Sequence, residues 1–175
     1  MASPLYVAKK GTFDEFREVF NAEEQDATDM LMAALTNRDP EARASICNYT
    51  LDKGADAGAE DEDQNTLTVL LGRHRHLGEG DGDLVKRLVD GGADVNFRAR
   101  LGYLPLRLAV EIRVDDDEKR RPVYEALFGA ETLDLELPSD KGDQEETLAQ
   151  WLRRIVDDQP DDFKVLDEFV KAKGY

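Results

Sequence analysis

The sequence predicts an all-α chain built as a row of about five helix-turn-helix units, and three observations carry that prediction. Gly54-Ala55-Asp56 recurs as Gly92-Ala93-Asp94, 38 residues on, and a fixed period of this size marks a stacked array rather than one globular fold. The same shift superposes residues 28–34 on 66–72, and those on 104–110. Apolar side chains also recur at i, i+1, i+4 and i+5, as in Leu84, Val85, Leu88 and Val89 or Ile46, Cys47 and Leu51 with Thr50 among them. That spacing forms one helical stripe, which must meet a neighbour.

Each unit has its own start and stop signals. In the first, Ser3 supplies a hydroxyl acceptor ahead of Pro4, whose fixed φ suits the first helical position; Gly11 makes the turn, and Phe16, Val19 and Phe20 lie on the second helix. Thr28, Thr66 and Thr147 offer the same acceptor to later units. Gly54 and Gly92 follow the last stripe residue and supply the left-handed conformation that ends a helix. The links at residues 73–82 and 113–121 are long and widen one edge. The fifth unit, with Thr147-Leu148-Ala149-Gln150-Trp151-Leu152, then Leu166, Phe169, Val170 and Gly174, is the loosest copy. Residues 132–146 exceed an ordinary connection, and a mobile loop is expected at 140–143. The 175 residues thus read as a single domain with approximate repeats 1–22, 23–58, 59–96, 97–136 and 137–175.

These phrases resemble ankyrin repeats, whose motif runs Gly-x-Thr-Pro-Leu-His-x-Ala-Ala, a turn, Ile-Val-x-Leu-Leu and Gly-Ala-Asp-Val-Asn. The best-matching copy runs from Leu88 through Gly92-Ala93-Asp94-Val95-Asn96 to Gly102-Tyr103-Leu104-Pro105-Leu106-Arg107-Leu108-Ala109. The resemblance implies an ankyrin-repeat solenoid with short β-hairpin-like finger loops. It also implies a concave face of fingers and first helices, on which such proteins commonly bind partners. The family's helix-start histidine, which ties adjacent copies together, is replaced by Tyr6, Leu31, Val69, Arg107 and Gln150, so a less stable array than a consensus one is expected.

With 39 acidic against 23 basic residues, the formal charge is −16. Binding nucleic acid or an anionic membrane needs a basic face, whereas a field of this sign speeds encounter with cationic partners. Mapped by register, the fingers carry Glu23, Glu24 and Asp26, then Glu60, Asp61, Glu62 and Asp63, and finally Asp143, Glu145 and Glu146. Charge runs also read as merely solvated faces; recurrence at equivalent positions favours a partner site. The fourth finger differs, with Arg98, Arg100, Leu101 and Tyr103, residue types that include the usual energetic anchors of interfaces. The alternative is that its arginines pair with the neighbouring acidic finger. Glu111, on the first helix of the same unit, joins the expected surface, and the opposite, helix-loop edge is the other candidate.

Little points to chemistry. His74 and His76 form a minimal metal pair, with Asp81 or Asp83 as candidates to complete it, but Arg73 and Arg75 repel a cation and zinc usually takes three or four protein ligands. Asp115-Asp116-Asp117 lacks the alternating spacing and late glutamate of a calcium loop and reads as surface. Ser3, Ser45, Ser139 and Cys47 have no glycine-flanked elbow, and Gly78-Glu79-Gly80-Asp81-Gly82 lacks the Lys-Ser/Thr of a phosphate loop. Cys47 falls on an apolar stripe and reads as core; as the lone cysteine it can form no disulfide within the chain. No apolar stretch reaches the roughly 18 residues of a membrane span, and no secretory leader is read at the amino terminus.

The expectation is therefore a cytoplasmic non-enzyme without metal or cofactor, monomeric when free, acting as an acidic clamp on a basic protein. A small acidic ankyrin protein is similar to the immunity proteins that neutralise a cognate bacterial toxin. The rival readings are an adaptor bridging cellular partners and a metal-dependent hydrolase built on His74 and His76.

Overall fold

Described residues of the computed structural model are 1–73, 76–142 and 145–175. Among them the chain is all-α, its short helices falling into consecutive pairs. The pairs are α1 (Pro4–Lys10) with α2 (Phe13–Val19), α3 (Ala27–Ala34) with α4 (Pro40–Asp52), and α5 (Thr66–Arg73) with α6 (Asp81–Asp90). They continue with α7 (Pro105–Glu111) and α8 (Arg121–Phe128), the latter preceded by a 3-10 turn at Asp117–Arg120, and end with α9 (Leu148–Asp158) and α10 (Lys164–Ala172). Extended backbone pairs at two isolated antiparallel bridges among the described residues, Glu60 with Asn65 and Pro138 with Thr147, each in a connection between helix pairs.

The helix starts follow from local competition for the free N–H groups. Ser3 accepts from the Tyr6 N–H with Pro4 behind it, and Thr12 and Thr147 form reciprocal capping boxes with Glu15 and Gln150. Thr28 and Thr66 are not the caps that their spacing suggests. Asp26 opens α3 by accepting from the N–H groups of Thr28 and Asp29, because a carboxylate suits the positive end of a helix better than a hydroxyl does. The Thr28 hydroxyl instead receives the Asp56 N–H at 2.9 Å. Ahead of α5, Asn65 and Thr68 exchange side-chain-to-backbone bonds, while the Thr66 hydroxyl donates to the Ala57 carbonyl. Gly54 and Gly92 adopt φ of 94° and 106°, and the following residues, Ala55 and Ala93, donate back to Thr50 and Leu88, the closing bond that a left-handed residue permits.

Two layers result. First helices pack on first helices, α1 on α3 and α5 on α7, while second helices run α2, α4, α6, α8, α10 with each touching the next. The predicted stripes face inward: Ile46, Cys47, Leu84, Val85 and Leu88 are fully buried, in one apolar cluster that extends from Val7 to Val170. Rings close both ends of the second layer, Phe16, Phe20 and Tyr49 at one and Tyr124, Phe128 and Phe169 at the other.

Polar side chains bolt the pairs together. The Asn37 amide donates to the carbonyls of Ala8 and Gly11, both at 3.0 Å, joining the second pair to the first. Arg43 on α4 is 0% exposed and grips Asp81 at the start of α6 with two bonds, of 3.0 and 2.6 Å. Its remaining nitrogen donates to the Asn37 carbonyl, and Asp81 also accepts the Gly78 N–H. Asn65 donates to the Asp94 carbonyl in the connection from α6 to α7.

Asp117 corrects the reading of residues 115–117 as surface. Asp115 and Asp116 are exposed, but Asp117 is buried and accepts from Arg120, from the Tyr124 hydroxyl, and from the N–H groups of Val165 and Leu166 at 2.9 Å each. It thereby caps α10, whose own N-cap, Phe163, provides no side-chain bond. Burial, with the Asp117 charge alongside, pushes the Tyr124 phenol upward.

Arg43→Ala leaves Asp81 as an unpaired buried carboxylate and is expected to cost about 3–5 kcal/mol in urea unfolding. Arg43→Met with Asp81→Leu should lose clearly less, since no charge is stranded; equal losses would assign the effect to packing instead. Asp117→Ala should raise amide exchange at Val165 and Leu166 well before the α4 and α6 amides respond.

Candidate functional site

The connections that carry the expected site residues differ in how far their charges are already used. In the first, the Asn21 side chain accepts the Glu23 N–H and Asp26 is committed to capping α3, so Glu23 and Glu24 project while Asp26 does not serve as a free anion. In the second, the Asp61 side chain closes a local turn by accepting the N–H groups of Asp63 and Gln64 at 2.7 and 2.9 Å. That turn leaves Glu60, Glu62 and Asp63 exposed at the tip. The adjoining tip lies against it: the Arg100 N–H donates to the Asp63 carbonyl at 2.9 Å, and the two charged groups stand 3.8 Å apart. Leu101, 75% exposed, follows directly.

The remaining residues of the fourth finger are structural rather than open anchors. Arg98 is half-buried and donates to the carbonyls of Gly102 and Pro138 at 2.9 and 2.6 Å, clamping the connection from α6 to α7 onto that from α8 to α9. Gly102, at φ +92°, allows the approach, because a Cβ there would meet the Lys141 Cβ at 2.6 Å. Tyr103 lies under the Arg107 guanidinium, which also covers Trp151 at 5.0 Å. Arg107 further binds the Ser139 carbonyl, Asp140 and Glu111, so Glu111 is part of an internal pair. Glu146 takes Arg154 with both oxygens, at 2.8 and 3.0 Å, and receives the Ser139 hydroxyl. Glu145 is exposed; Asp143 lies outside the described residues.

The expected surface therefore divides. Glu60, Glu62 and Asp63 come together with Arg100 and Leu101 at two adjoining tips, and Glu24 and Glu145 project from other connections. Asp26, Arg98, Tyr103, Glu111 and Glu146 stabilise the fold. The pairing of finger arginines within the chain, left open by the sequence, is realised by Arg100 with Asp63.

The alternatives that invoke chemistry meet specific obstacles. His74 and Arg75 lie outside the described residues. His76 and Asp83 are exposed, and Asp81 is already held by Arg43 and Gly78. Among the described residues no group of three or more histidine, cysteine or acidic side chains is gathered as for a metal ion. Cys47 is buried, and desolvation drives its thiol far up, away from the reactive thiolate. No helix among the described residues is long and apolar enough to cross a membrane.

The 140–143 segment, expected to be mobile, is anchored at its start. Asp140 accepts the Gly142 N–H at 2.8 Å, and that bond, with the neighbouring Arg107 cation, holds its carboxyl below the usual range. Sequence patterning gave no sign of this contact, nor of Asp117 as a cap. The pair Arg43 and Asp81 did carry one: the two residues are 38 apart, one repeat period.

No family model matches the chain, and no curated protein does. Among solved structures, it is similar to the crystal structure of a functionally unknown protein from Leptotrichia buccalis, with a TM-score of 0.76 and 22% identity over 99% of this chain and 95% of that one. That likeness concerns the all-α fold.

Several carboxyls are held low by partners in the fold: Asp140, Asp167 by Lys171 and Arg153, and Glu118 by Arg121. A depressed folded pKa stabilises above the unfolded value, and the gain disappears as protons bind. The urea midpoint should hold from neutral pH down to about pH 5 and fall below about pH 4.

Proposed function

We propose that the chain is an ankyrin-type solenoid that binds another protein without catalysing a reaction, its acidic finger edge drawing in a basic partner. Helix pairs that pack first helix on first helix and second on second, joined at the Gly-Ala-Asp turns, support the ankyrin reading. The observation that carries the binding reading is an unequal use of charge. Arg98, Arg100, Arg107 and Arg154 are engaged by carbonyls or carboxylates of the chain itself. The side chains of Glu24, Glu60 and Glu62 are exposed and bond to nothing among the described residues.

Such projecting carboxylates act chiefly on encounter rate and specificity. Leu101, beside them, offers apolar area for the contact that follows. In its sharpest form the partner is a basic bacterial toxin that the chain neutralises one to one, as an immunity protein does.

Affinity capture from native extract at low and at high salt tests this. A basic protein should be retained one to one at low salt and lost at high salt. Glu60→Gln with Glu62→Gln should slow its association by about 2- to 10-fold while leaving thermal unfolding unchanged. Failure to retain any basic protein, or capture indifferent to salt and to these substitutions, would remove the clamp reading.

A further inference from the structure

We propose that a second surface, the groove across α1, α3 and α5, takes an acidic-apolar segment of a partner protein. The proposal rests on the chain being a protein binder but not on its acidic fingers.

The groove is open and encloses about 590 Å³, room for a few side chains. Buried Val69 and Ala33, half-buried Met32 and the rim residue Leu5, 41% exposed, give its floor an apolar strip that runs beside the polar Thr36 and Gln64. Its walls carry Lys9, Lys10 and Arg38 against a single carboxylate, Asp29. In a chain of net charge −16 this is an inversion of the prevailing sign.

The three cations are also uncommitted. Arg87, Arg107, Arg121, Arg153 and Arg154 each hold a carboxylate of the chain, whereas Lys9, Lys10 and Arg38 have no ion-pair partner among the described residues. Lys9 and Lys10 lie in the last turn of α1, where a cation also offsets the helix dipole. Arg38 lies between α3 and α4, on no helix, and gains nothing of that kind.

Charge complementarity selects carboxylates for the rim, and the floor selects aliphatic side chains beneath them. Free phosphate has no use for such a floor, and a polynucleotide would meet the overall negative field. A peptide segment alternating acidic and aliphatic residues satisfies both requirements.

The test is fluorescence anisotropy with a labelled twelve-residue peptide of leucine and glutamate, its leucine-lysine counterpart and a labelled DNA duplex. The leucine-glutamate peptide should bind and the others should not. Arg38→Glu combined with Lys10→Gln should weaken it by about tenfold at unchanged thermal unfolding, and Arg38→Gln alone by less. Glu60→Gln with Glu62→Gln should leave it unaltered, which separates this site from the finger edge. Absence of peptide binding, preference for the lysine peptide or for DNA, or insensitivity to the Arg38 substitutions would each overturn the proposal.

Discussion

Most of these helices are too short to stand on their own, and the rest of the structure follows from that constraint. α1, α2 and α7 have seven residues each, below the roughly 12–15 at which isolated helices become even marginal in water. Each pair gains stability only by laying its apolar stripe against the next. Hydrophobic contact is non-directional, however, and would tolerate sliding between neighbours. Direction comes from polar groups that fit one alignment only: Asn37 on the carbonyls of Ala8 and Gly11, Arg43 on Asp81, Asn65 on Asp94, and Asp117 on the first turn of α10.

How much of this was readable in advance depended on the range of the interaction. Ser3-Pro4, the Thr147 acceptor, the Gly54 and Gly92 turns and the Leu84-Val85-Leu88 stripe are local, and each is found where its pattern points. Thr28 and Thr66 show where local reasoning stops: two acceptors competed for one helix start, and Asp26 and Asn65 prevailed. Asp117 was illegible for a different reason. Within residues 115–117 three identical side chains differ only in which one reaches Tyr124 and α10, and nothing in the local spacing states that.

The candidate surface followed the same rule. Register assigned carboxylates to the connections, but could not distinguish Glu60 and Glu62, which project, from Asp61, which closes its own turn, or from Glu146, which holds Arg154. Arginine proved mainly an internal fastener because its planar fork satisfies several acceptors at once, as in Arg107 between Tyr103, Trp151, Ser139 and Asp140. With the arginines so occupied, the tip carboxylates Glu24, Glu60 and Glu62 face solvent without a partner among the described residues, a pattern broken by the cations beside α1 and α3.

The bolt between α4 and α6 has a consequence for how such a chain can change over generations. Its two halves sit on neighbouring units, and every other junction uses a different pair of groups, so the units are not interchangeable parts. Deleting the second or the third unit alone would leave Asp81 or Arg43 in the interior opposite nothing. The chain is free to vary at its loop tips, yet those two units are fixed as neighbours.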